Sequence, residues 1–322
     1  MTASLRRSRD LPSLVAQARE GDPRAVARLI SLVEDGDPLL PELAAALAPH
    51  SGSAQIIGLT GSPGVGKSTT TNELVRAYRA QGHRVGVLAV DPSSPFTGGA
   101  ILGDRVRMQD HALDAGVYIR SMSSRGHLGG LAAATPQAVR VLEGAGCEIV
   151  LVETVGVGQA EVEVAGLADT TVVLLAPGMG DAIQAVKAGI LEIADVFAVN
   201  KADRDGADAT YHDIQGMLAL GDREPGDWRP QVMRIAAAQS TGIDLKVEAI
   251  AKHRSWLDTH DQLRVRRERR ASVEIAELAL GRLRSQFDSI DHGAALPALA
   301  ADVAAGRLDP YAAATRLLAH LP

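Results

Sequence analysis

The sequence predicts an α/β protein: a doubly wound, mostly parallel sheet with helical N- and C-terminal extensions. Short apolar runs at residues 56–59, 85–90, 148–152, 171–176 and 196–199 read as strands buried on both faces. Segments with helix-compatible spacing separate them, and that alternation builds parallel crossovers. Before residue 50 and beyond residue 258 only helical spacing remains. The 322 residues, 46% hydrophobic and 3% aromatic, suffice for one large unit with an aliphatic core and helical additions, rather than two equal domains. The expected divisions are a helical segment at 1–50, an α/β domain at 51–258 and a helical extension at 259–322.

Residues 12–47 set apolar clusters (Leu14, Val15 and Ala18, then Val26, Leu29, Ile30 and Val33) between charged positions, which predicts two or three short helices. Gly21-Asp22-Pro23 and Gly36-Asp37-Pro38 break them, with Asp or Pro placed to start the next helix. Chemistry begins at residues 54–72, AQIIGLTGSPGVGKSTTTN, which read as strand, glycine turn and helix start, and residues 61–68 fit G-x-x-x-x-G-K-[ST]. Gly61, Gly64 and Gly66 let the backbone curl so that successive N–H groups of the loop point inward, and Ser62, Pro63 and Val65 complete the loop as further nucleotide-binding candidates. The helix starting near Lys67, with Thr69 in its first turn, adds its positive dipole end. This pattern makes a phosphate cradle. Lys67 is placed to hold β- and γ-phosphates, and Ser68 to give a hydroxyl to Mg²⁺. The expected fold thereby sharpens to a P-loop nucleoside triphosphatase.

Gly82 ends that helix, and the strand at 85–90 delivers Asp91 to the carboxyl edge of the sheet, where ligands of doubly wound folds bind. Asp91 either reaches the metal or caps the turn at 91–94. The Gly-rich residues 98–107 have the freedom of a switch; Asp104 is a second candidate for the metal shell, whereas Arg107 reads as surface charge. Residues 116–120 read as a strand, 121–131 as a loop and 135–142 as a helix. His127, alone beside glycines, reads as a loop residue rather than a ligand. The strand at 148–152 runs into Glu153-Thr154-Val155-Gly156. In this acid-x-x-Gly element Glu153 organises the metal shell and the Gly156 N–H senses a γ-phosphate. Lys67, Glu153 and Gly156 are the candidate catalytic set.

Strand 171–176, a turn and helix at 177–195, and strand 196–199 lead into Asn200-Lys201-Ala202-Asp203, which is N-K-x-D. The Asp203 carboxylate can accept from both donors on guanine's Watson–Crick edge, while the Lys201 stem covers the base plane. Adenine presents the wrong pattern, and each unpaired buried polar group costs roughly 1–3 kcal/mol. Lysine is scarce, five in all, and Lys67 and Lys201 are two of them. A last strand at 232–236 reaches Ala236-Ala237, where a backbone N–H near Ala237 can read guanine O6; the Ser-Ala pair usual at such turns is Ala-Ala here. The expected ligands are GTP or GDP with Mg²⁺. Helices follow at 245–258, 262–287 and, around Gly306 and Pro310, at 297–321. Arg264, Arg266, Arg267, Arg269 and Arg270 form a basic run that reads as a solvated helix face. With little core of their own, these last helices suit docking on another subunit.

A net charge of −6 gives little electrostatic support to nucleic-acid or membrane-surface binding. The single cysteine, Cys147, excludes an intramolecular disulfide and a thiolate metal cluster, so the cytoplasm is the expected compartment. Residues 1–20 carry basic charge without a continuous apolar stretch, unlike a secretory signal or a spanning helix.

Taken together, GSPGVGKST, VDPSSPFTGGAILGDRVRM, ETVGVGQAE, PGMGDAIQAVKAGILEIAD and NKAD resemble the MeaB/ArgK family of GTPases, which includes the methylmalonic aciduria type A protein, over residues 11–256. The resemblance implies a GTP-hydrolysing chaperone that assists adenosylcobalamin loading, protection and reactivation of methylmalonyl-CoA mutase. It also implies a homodimer held by the C-terminal extension and a mutase-responsive switch at 178–189, where Gln184 and Lys187 share a helix face. Ras-like enzymes carry a water-orienting glutamine directly after the glycine of the acid-x-x-Gly element. Here that residue is Val157, and Gln159 lies farther on, so hydrolysis is expected to be slow without a partner. Two alternatives stand beside this one. A nickel-insertion GTPase shares the fold but normally carries His-rich or Cys-His metal sites, against nine scattered His and one Cys. A P-loop kinase linked to arginine and ornithine transport needs an acceptor-site base, which the sequence does not display.

Overall fold

The computed structural model describes residues 2–91, 111, 113–123, 134–154, 160–178, 190–221, 224, 226–289 and 295–319. Three helices, α1 (Thr2–Glu20), α2 (Pro23–Glu34) and α3 (Leu40–Leu47), precede the sheet. α1 is longer than its sequence pattern implies and runs through Pro12. Asp22 caps α2 by accepting the Arg24 N–H at 2.8 Å, with Pro23 in the first helical position.

Seven strands follow: β1 (Gln55–Thr60), β2 (Val85–Asp91), β3 (Val117–Ser123), β4 (Ile149–Thr154), β5 (Thr170–Leu175), β6 (Val196–Val199) and β7 (Gln231–Arg234). They form one sheet in the order β3-β2-β4-β1-β5-β6-β7, with every pair parallel. Helices α4 (Lys67–Ala80), α5 (Thr135–Gly144), α6 (Ala160–Leu167), α7 (Ile190–Ile193), α8 (Ala207–Leu220) and α9 (Ile243–Thr259) connect or follow them. β3 and β4 both outrun their apolar stretches: Ser121–Ser123 and Glu153–Thr154 stay in register with β2. Backbone pairing thus carries the polar Glu153 into the sheet's edge rather than into the loop beyond it. α8 has no counterpart in the sequence reading.

Alternation along each strand divides the core between the two faces of the sheet. Ile56 and Val150 pack in one cluster with Leu29, Leu43, Leu142 and Val164 of α2, α3, α5 and α6. Their neighbours Ile57 and Leu151 pack in the other with Leu74 and Val75 of α4 and Ile250 of α9. Both faces are covered, which is why the strands read as unbroken apolar runs. A smaller cluster joins Val173, Leu175 and Phe197 to Ile214 of α8.

Two compact units divide between Arg267 and Glu268, inside α10 (Gln262–Ser289). The first holds the sheet and α1–α9. The second holds the remainder of α10 with α11 (Ala295–Ala304) and α12 (Pro310–Leu318). The basic run at the start of α10 is not a uniformly solvated face. Arg266 grips the Asp195 carboxylate bidentately at 2.8 and 2.9 Å. Arg267 bonds Asp169 Oδ2 at 2.7 Å and the Ala54 carbonyl at 2.7 Å. Asp169 and Asp195 stand just before β5 and β6, at the edge of the sheet opposite the strands' carboxyl ends.

Candidate functional site

The candidate residues gather at the carboxyl ends of the strands. β1 lies between β4 and β5, where the strand order turns back, the place at which open α/β sheets hold ligands. Between β1 and α4, Gly61, Gly64 and Gly66 have φ of 137°, 80° and 95°, backbone that glycine adopts without strain. Gly61 also presses on β5, where a Cβ would meet the Leu174 carbonyl oxygen at 2.2 Å. Val65 is buried, Ser62 half-buried, and Pro63, Gly64 and Thr69 are exposed. Gly66 stands at the N-terminus of α4, so the helix dipole points into the loop. The buried Lys67 ammonium donates to the Gly61 and Ser62 carbonyls at 2.7 and 3.0 Å, which fixes its charge within the curl.

Glu153, buried at the end of β4, faces α4. Its Oε1 accepts from the Ser68 hydroxyl and its Oε2 from the Thr71 hydroxyl, each at 2.7 Å. The sequence reading passed over Thr71; its spacing of three from Ser68, on one helix face, is the signal that could have found it. Ser68 and Glu153 bring hard oxygen donors side by side, the donor chemistry that suits Mg²⁺. Asp91 ends β2, paired in register with Ser123, and its side chain lies outside the description. Asp104 and Gly156 lie outside the described residues, as do residues 98–107, His127, Val157, Gln159, Gln184 and Lys187.

The second motif follows β6 and meets the phosphate loop directly. Asn200, buried, donates through Nδ2 to the Val65 carbonyl at 2.8 Å and accepts the Ala237 N–H on Oδ1 at 3.1 Å. Lys201 has φ of 57° and its ammonium donates to the Gly64 carbonyl at 2.6 Å. The Ala202 N–H donates to the Ile235 carbonyl at 3.0 Å, which fastens the motif to the end of β7 and leaves Asp203 exposed at the rim. Ala236 and Ala237 are buried. Here the structure departs from the sequence expectation, since the Ala237 N–H is taken by Asn200: a buried amide oxygen needs a donor. The next residue of the same turn, Ala238, is exposed.

A phosphate loop and an N-K-x-D motif joined by two hydrogen bonds describe one nucleotide site. The family model described as methylmalonyl Co-A mutase-associated GTPase MeaB matches residues 26–291. The chain belongs to the MeaB family. It is a GTPase with a P-loop fold that takes GTP and GDP. A protein of Pyrococcus abyssi named as a putative GTPase is 44% identical over 314 residues, covering 97% of each chain. The GTPase ArgK of Escherichia coli is 37% identical over 271 residues, covering 82% of each. The mouse methylmalonic aciduria type A homolog is 37% identical over 268 residues, covering 81% of this chain and 64% of the mouse protein. Among solved structures, an LAO/AO transport system kinase superposes with a TM-score of 0.72 at 27% identity, covering 96% of each chain. No helix among the described residues is long and apolar enough to cross a membrane.

Proposed function

We propose that this MeaB-family GTPase binds Mg²⁺·GTP in the site above and runs its hydrolytic cycle under the control of an adenosylcobalamin-dependent methylmalonyl-CoA mutase, assisting cofactor loading, protection and reactivation. The observation that carries the nucleotide reading is the pair of bonds from Asn200 to Val65 and from Lys201 to Gly64. They set the base-reading motif and the phosphate loop on one rim. In this reading Lys67 holds the β- and γ-phosphates, Ser68 and Glu153 hold Mg²⁺ with Asp91 and Asp104 as further candidates, and Gly156 senses the γ-phosphate. Bound there, Mg²⁺ neutralises charge on the phosphate oxygens. Asp203 reads guanine, with the turn at Ala236 and Ala237 held beside it through Asn200.

The client reading is supported by the family description and by the mouse relative. The transport-kinase name of the structural relative describes the same fold and supplies this chain with no acceptor site. In the proposed cycle the C-terminal extension at 259–322 pairs two copies, in the cytoplasm, and neither nucleic acid nor membrane takes part. The test is GTP turnover measured against concentration of a purified methylmalonyl-CoA mutase. Turnover should climb to a plateau; a flat line with mutase demonstrably bound sinks the client-controlled cycle.

A further inference from the structure

The turn that carries Ala236 and Ala237 is closed on itself. Ala236 and Thr241 exchange both backbone hydrogen bonds, at 3.0 and 3.1 Å, and the Ser240 N–H donates to the Ala237 carbonyl at 3.1 Å. Gly242, at φ 78°, seals its end, since a Cβ there would meet the Arg234 carbonyl oxygen at 2.8 Å. A turn cross-linked in this way moves as a body, so its position depends on what grips it from outside. One grip is Asn200, through the Ala237 N–H. The other lies at the far end: the Ser240 hydroxyl donates to Glu73 Oε2 at 2.7 Å.

Glu73 sits two turns into α4, the helix that begins with Lys67 and Ser68. Its other oxygen, Oε1, accepts from Arg76 Nη1 at 2.6 Å, so both oxygens of a carboxylate only 9% exposed are engaged. A buried carboxylate is costly unless donors replace the water it has lost. Ser240 reaches it from φ 54°, a backbone region that side chains other than glycine adopt at a cost. Two unfavourable features therefore meet in one hydrogen bond, which joins the base turn to the phosphate helix without touching Ser68, Glu153 or Asp203.

We infer that Ser240 and Glu73, backed by Arg76, form a latch that sets the guanine-reading turn against the phosphate helix and slows release of the bound nucleotide. They are positioning residues, and the inference rests on the proposed reading of this turn as the base site. With the latch open, the turn keeps its Asn200 hydrogen bond and the core packing of Ala237, and its Ser240 end is no longer fixed to α4. The base loses its fixed partner while the phosphate loop stays as it was.

The test is release of fluorescent GDP, chased with excess GDP, from wild type, Ser240→Ala, Ser240→Thr and Glu73→Gln. Melting temperature and competition by inorganic triphosphate are followed alongside. Ser240→Ala should release GDP about 10-fold faster, in line with one lost hydrogen bond to a charged group. Ser240→Thr, which keeps the hydroxyl, should stay near wild type, and Glu73→Gln should fall between. Inorganic triphosphate should compete equally well against all four. Unchanged release from Ser240→Ala overturns the latch, as does equally fast release from Ser240→Thr, or triphosphate affinity lost in step with GDP. Wild-type preference for GDP over ADP is read in the same series: its absence removes the base-site reading itself, whereas preference with unaltered release removes only the latch.

Discussion

Lys67, Lys201 and Lys246 show what the depth of one side chain does to its chemistry. Lys67 and Lys201 lay their ammonium groups on carbonyls of the phosphate loop. Lys246, on α9, is fully buried with no hydrogen-bond partner for its amine among the described residues, and burial pushes its pKa down to about 7. An unfolded lysine keeps its proton up to about pH 10.4, so the folded state gives up a proton that the unfolded state holds between those values. Stability is thus full above the unfolded pKa and lost as pH falls toward about 7. Lys246→Met should therefore stabilise the protein at pH 7, by up to roughly 5 kcal/mol if the whole shift counts, with the gain shrinking as pH rises toward 10. Urea midpoints of both proteins at pH 7 and 9.5 check it; equal midpoints at pH 7 would mean that the amine finds a partner. At the rim, Asp203→Asn should weaken GTP by about 10- to 100-fold, the worth of hydrogen bonds to a charged acceptor. The same change should improve binding of xanthosine triphosphate, whose altered edge pairs with the amide. Competition binding with both nucleotides decides it, and undiminished GTP affinity would refute the assignment.

β5, β6 and the start of α10 are held together by a buried polar cluster. His253 of α9 contacts the Thr170 hydroxyl through Nδ1 at 2.9 Å and faces Asp195 through Nε2 at 3.3 Å, beside Arg266 and Asp169. Burial, with help from Arg266, pushes its pKa down to about 4 against the pull of Asp195 and Asp169. The unfolded imidazole takes a proton near pH 6.5, so stability from this group is whole above that pH and drains as pH falls toward about 4. The loss should reach roughly 3 kcal/mol at pH 4, and His253→Gln should flatten that part of the profile. Trp228 and Trp256, the only two tryptophans, lie 4.7 and 6.0 Å from the His253 ring, so their fluorescence follows the transition. Parallel slopes for the two proteins between pH 6.5 and 4 would show that other groups set the acid limit. What was legible beforehand follows the range of the interactions. β6 matched its apolar run residue for residue, and the phosphate loop is a pattern within eight positions. α8 escaped because only Ala207 and Ile214 of its 14 residues are buried, too thin a stripe to show a period. Thr71, Arg266 and Ser240 act on partners 82, 71 and 167 residues away, which no local spacing rule reaches.

At the scale of the whole molecule the chain divides its labour between its two units. Every described residue of the nucleotide site lies in the unit that ends at Arg267. The unit from Glu268 onward has a different character. α11 and α12 bury none of their residues, and Ile275 and Leu283 of α10 are 68% and 60% exposed. Val273, Leu278, Leu280, Leu296 and Leu318 are exposed as well. Covering a Leu or Ile side chain is worth about 1.5–3 kcal/mol, so several together supply the driving force of an interface. In the proposed dimer these exposed apolar side chains are where a second copy of the chain would dock. Ile275→Glu combined with Leu283→Glu should halve the mass found by sedimentation equilibrium, because two carboxylates placed in the interface could be buried only at high cost. Basal GTP turnover and guanine selectivity should stay at wild-type values, since neither position lies in the nucleotide-binding unit. A wild-type chain that sediments as a monomer, or a double variant that keeps the wild-type mass, would remove this surface from the assembly.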